Sequence, residues 1–172
     1  MGAWGDGPFD SDGALDYLGG LADRVAEIDE EYEIRPGTVD DDKVRTELRA
    51  VLRGPQDHWD GDNVYAAAGL VAAALHPELV DRSSNTGTRL GEKFSGESTA
   101  NLGLHGHCGY LTLIEADTAL ALREDALAGL QALKQNASWM GKWHNPQIGD
   151  LVDEVAALIE SPSPTIKDAS LT

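Results

Sequence analysis

A chain of 172 residues with 41% apolar side chains has material for one core, and a single domain is expected. Thirteen Lys and Arg stand against thirty Asp and Glu, a formal charge of −17, which repels phosphate backbones and argues against direct nucleic-acid binding. No apolar run approaches the ~20 residues that cross a bilayer, no basic-then-apolar leader opens the chain, and one cysteine, Cys108, leaves no internal disulfide framework. These features predict a cytoplasmic protein without a membrane segment.

The chain opens MGAWGDGPFDSDGALDYLGG. Trp4 and Phe9 read as hydrophobic anchors, since large aromatic side chains are usually buried for packing. Gly2, Gly5 and Gly7 let the backbone pass close to other elements. Asp10, Ser11 or Asp12 can cap the helix that follows by accepting from an orphan N–H. That helix is predicted from Asp12 to about Tyr32, with Leu18, Leu21, Ala22, Val25 and Ile28 on one face. Gly19-Gly20 is an awkward pair within it, costing up to about 1 kcal/mol each relative to Ala.

Pro36-Gly37 turns the chain, and Thr38 with Asp41 reads as a capping box. A second helix then runs to Arg53 with Val44, Leu48, Val51 and Leu52 inward, until Gly54-Pro55 stops it. Asp62 can cap a third helix, Asn63 to about Leu75. Its alanines make it thin and apolar nearly all round, which suits the centre of a bundle. The stretch from His76 to Thr112 reads as a long loop or a small hairpin around Gly109–Leu113. A fourth helix spans about Glu115 to Gln135, and a short Trp-containing piece covers Ser138 to His144. Asn145 as cap and Pro146 at the first position introduce a fifth helix, with Ile148, Leu151, Val152, Val155, Leu158 and Ile159 as its stripe. Residues 161–172, SPSPTIKDASLT, read as a flexible tail after a domain of residues 1–160.

The opening MGAWG-D-GPF, the alanine-rich VYAAAGLVAAAL and the later ALREDALAGLQALKQNASWMGKW together resemble the blocks of a bacterial family, the domain of unknown function 4259 (DUF4259). Asp81 to Tyr110 stands apart from that pattern. The resemblance implies a small helical protein and carries no assigned activity.

Three constellations bear on chemistry. His105-Gly106-His107-Cys108 is the sharpest: in extended backbone His105 and His107 point the same way. They could share zinc, with Cys108 as a further ligand at about 2.0–2.3 Å. The other reading is a glycine-rich turn with surface histidines. Asp57-His58-Trp59-Asp60-Gly61-Asp62 lacks the alternating acids and late Glu of a calcium loop. Trp139 and Trp143 lie four apart, hence on one helical face, either wedged between the last two helices or offered to a partner. No phosphate-binding glycine loop, nucleophile elbow or HExxH motif occurs.

Residues 1–62 hold seventeen acids and six bases, −11 of the total. Glu30, Glu31, Asp40, Asp41 and Asp42 are the acids best placed to meet a basic protein, and the alternative is plain solubility. The sequence therefore predicts an all-α single domain of about five helices that binds a basic protein, as an immunity protein, an antitoxin or a DNA mimic would. The alternative is a metal-binding protein or metal-dependent enzyme using His105 and His107.

Overall fold

The computed structural model describes residues 7–9, 11–30, 34–54, 60–77, 110, 113–143 and 146–169. Its elements are α1 (Asp12–Val25), α2 (Asp41–Arg53), α3 (Gly61–Leu75), α4 (Ala116–Gln135), α5 (Ala137–Lys142), α6 (Ile148–Glu160) and α7 (Pro164–Ala169). The fold is all-α, and among the described residues there is no strand; an isolated antiparallel bridge joins Ile28 and Ile34.

The alanine-rich α3 is the axis of the bundle. Ala66, Ala67, Ala68, Leu70, Val71 and Ala72 are wholly buried, and α1, α2, α4 and α6 all pack on it. Small side chains on every face let four neighbours approach one helix, and a helix apolar all round is stable only when covered. α4 forms the second spine: Ala119, Leu122, Ala126, Leu130 and Leu133 are buried where it meets α2, α3 and α6.

Helix starts follow local capping chemistry. Ser11 caps α1, its hydroxyl accepting from Ala14 N at 3.1 Å. Asp40 caps α2, accepting from Lys43 N at 3.1 Å. The capping box expected at Thr38 and Asp41 does not form. The Thr38 hydroxyl instead donates to Arg35 O at 2.7 Å and accepts from Glu27 N at 3.0 Å, holding the preceding turn. Asp40→Ala should therefore destabilise the fold by about 1 kcal/mol in a urea titration, and Thr38→Ala should leave α2 capped.

α1 stops at Val25, seven residues short of Tyr32. Arg35 N donates to Glu27 O at 2.8 Å and Asp40 N to Val25 O at 2.8 Å, so the chain folds back as a small hairpin closed by the Ile28–Ile34 bridge. Ile28 continues the apolar stripe of α1 in sequence, yet packs on the core from this hairpin, half-buried.

α3 begins at Gly61 with Asp60 as its cap, accepting from Asp62 N at 3.0 Å, so Asp62 is not the cap. α6 begins at Ile148 with Gln147 at its cap position and Pro146 in the turn before it; Asn145 lies outside the described residues. The segment read as a flexible tail carries α7 through Ala169. Ser163 N donates to Leu75 O at 3.0 Å, and Ile166 is buried. The bond to Leu75 O ties the start of this segment to the last residue of α3.

Candidate functional site

The acidic end of the molecule is built by three consecutive pieces: the last turn of α1, the hairpin and the first turn of α2. The bond from Asp40 N to Val25 O brings the start of α2 beside the end of α1. Asp23 and Glu27 therefore lie at the same end as Asp41 and Asp42. Glu30 sits in the turn beyond the Ile28–Ile34 bridge. Asp41, Asp42 and Glu30 are exposed. Asp40 is exposed too, but its carboxylate is engaged by Lys43 N and lies 3.7 Å from Lys43 Nζ. Glu31 lies outside the described residues. The acids of the first turn also suit the positive end of α2.

Most described cations are engaged in ion pairs or hydrogen bonds, two of them, Arg35 and Lys43, at this end; Arg45 on α2 makes no ion pair among the described residues. Arg24 holds Glu47 at 2.9 Å and Arg35 reaches Glu27 at 3.5 Å. Arg49 and Arg53 both donate through Nε to Asp125 on α4, Arg49 at 3.0 Å. Lys134 holds Asp153 at 2.6 Å and Lys142 holds Asp62 at 2.7 Å. Arg123 donates to Ile159 O at 3.0 Å and to Glu160 O, closing the end of α6. Among the described residues Asp16, Asp23, Glu30, Asp41 and Asp42 make no ion pair, and Asp16, Asp23, Glu30, Asp41 and Asp42 all face solvent.

Tyr17 lies on α1, within electrostatic reach of Arg24 and Glu47. Its hydroxyl is buried with no hydrogen-bond partner among the described residues. Burial pushes the Tyr17 phenol well above the usual tyrosine range; Arg24 opposes the shift and Glu47 adds to it. Burial, then Asp23, pushes Tyr110 up as well. The unfolded chain ionises its tyrosines near pH ~10. Below that pH both states hold the proton and stability is unaffected. Above it the unfolded state loses protons that folded Tyr17 keeps, so stability falls. Tyr17→Phe should reduce the alkaline loss measured by urea titration between about pH 9 and 11. At neutral pH it should stabilise by about 1 kcal/mol, because it removes a buried donor that nothing receives.

A second cluster joins α3 to α5. Asn136 Oδ1 caps α5 through Trp139 N at 3.0 Å. This orients the Trp139 indole, whose Nε1 donates to Asp62 Oδ1 at 2.8 Å. Lys142, one turn further on, reaches the same oxygen. Tyr65, Trp139 and Trp143 meet edge to face, with centroids 5.6 Å apart for Tyr65–Trp139 and 5.3 Å for Trp139–Trp143. Trp139 thus packs on α3, rather than standing between the last two helices, and Trp143 is half-buried beside it. Asp62 and Asp125 are carboxylates whose role as inter-helix anchors the sequence did not single out. The i, i+4 register of Arg45, Arg49 and Arg53 was the available signal for Asp125.

Phe9 is buried, and Asp12 opens the first turn of α1. Trp4, His105, His107 and Cys108 lie outside the described residues, as does most of the loop from His76 to Thr112. Among the described residues no group of three His, Cys, Asp or Glu is arranged to hold a metal ion. No described helix is long and apolar enough to cross a membrane.

The family model described as a domain of unknown function, DUF4259, matches residues 2–139. The chain belongs to this family. The DUF4259 match takes in α1 to α4 and ends on Trp139, the residue that ties α5 to Asp62. Helices α6 and α7 follow the matched span, and α6 buries Val152, Val155 and Ile159 in the same core. No curated protein and no solved structure matches the chain.

Proposed function

We propose that this DUF4259 protein is a cytoplasmic, non-enzymatic binding module that takes a basic protein on the edge formed by the end of α1, the hairpin and the start of α2. In its most concrete form it neutralises that partner as an immunity protein or antitoxin does, or occupies a nucleic-acid-binding surface as a DNA mimic. One observation carries this reading. Seven described Lys and Arg side chains hold carboxylates within the fold, whereas Glu30, Asp41 and Asp42 stand exposed without an ion pair among the described residues. A surface with uncompensated negative charge steers basic partners toward itself and repels polyanions.

The test uses the protein immobilised without an affinity tag and an extract of its native host. A basic protein should be retained at low salt and released at high salt. The triple variant Glu30→Gln, Asp41→Asn, Asp42→Asn should retain about tenfold less of it, a loss of about 1.4 kcal/mol. Its unfolding free energy should fall by no more than about 1–2 kcal/mol, the helix-dipole share of two exposed first-turn acids, so the variant stays folded. If no basic protein is retained even at low salt, the proposal fails. Elemental analysis of the same preparation separates it from a metal protein built on His105, His107 and Cys108, which would carry stoichiometric zinc or another transition metal.

A further inference from the structure

We draw no further inference here: the strongest candidate, the groove of about 600 Å³ between α4 and α6 lined by Leu127, Leu130, Val152 and Ala156 beside the Lys134–Asp153 ion pair, is an unpartnered apolar face, and nothing in the structure shows what covers it.

Discussion

Trp139→Ala should destabilise the protein by about 3–5 kcal/mol, the cost of deleting a buried indole together with the cavity it leaves. Trp139 is 4% exposed and is wedged between α5 and the first turn of α3. A Cβ on Gly61 would clash with the indole, with the Trp139 Nε1 atom 2.7 Å away, so the ring lies directly on the α3 backbone. Removing it strips Tyr65 and Trp143 of an edge-to-face partner. It also leaves Asp62, whose side chain is 12% exposed, to its ion pair with Lys142. Trp139→Phe separates these contributions. It keeps most of the apolar bulk and loses the donor to a carboxylate, worth about 1.5–3 kcal/mol. Adding Asp62→Asn to Trp139→Phe should then cost less than Asp62→Asn alone, because the two residues share one bond. Urea titrations followed by far-UV circular dichroism give all four values. In a domain of this size, Trp139→Ala should lower the melting temperature by roughly 10 °C. A loss below about 1 kcal/mol would mean the indole is not packed as described.

That contact shows why some boundaries were readable in the sequence and others were not. The apolar stripes of α1 and α2, and the all-round alanine pattern of α3, place the buried faces correctly. Periodicity depends only on which side of a helix meets the core. The end of α4 at Gln135 was legible for the same reason. Helix starts were harder. Near α3 the sequence offers Asp57, Asp60 and Asp62, each with an oxygen able to cap. What removes Asp62 from the choice is a tryptophan 77 residues away, a partner that no local pattern can announce. Similarly, Thr38 is drawn from the α2 cap by Glu27 N across the hairpin. The end of α1 was overrun because Ile28 sits in helical register by sequence and in a β-bridge by structure.

The charged residues divide along the same line. The excess of acids near the N-terminus is a count and needs no structure. Which acids remain outward does. Asp40 is partly consumed as a cap, Glu27 and Glu47 are taken by arginines, and Asp41 and Asp42 are left exposed. Asp125 is the converse case: it is 9% exposed in the middle of α4, where an acid breaks the apolar stripe. A buried carboxylate is stable only when paired, and two arginines from α2 provide the pairing.

Gly69→Ala should destabilise by about 1–3 kcal/mol, although alanine is normally the better residue inside a helix by about 1 kcal/mol. Gly69 lies in the middle of α3, where an added Cβ would stand 2.6 Å from Pro8 Cβ, 2.8 Å from Pro8 Cγ and 3.1 Å from Phe9 Cζ. A proline ring has no rotamer by which to withdraw, so the opening segment must lift or α3 must shift. Either movement disturbs the seat of Phe9, itself buried. Gly141→Ala in α5 is the matched control: nothing lies within 4 Å of the Cβ it would add. There the helix preference acts alone and the variant should gain up to about 1 kcal/mol. Pro8→Ala should recover part of the loss in a Gly69→Ala background while costing stability by itself, a coupling of about 0.5–3 kcal/mol in a double-mutant cycle. If Gly69→Ala instead gains as much as Gly141→Ala, residues 8 and 9 do not press on α3. The opening glycines, proline and phenylalanine would then owe their presence to something other than this close approach.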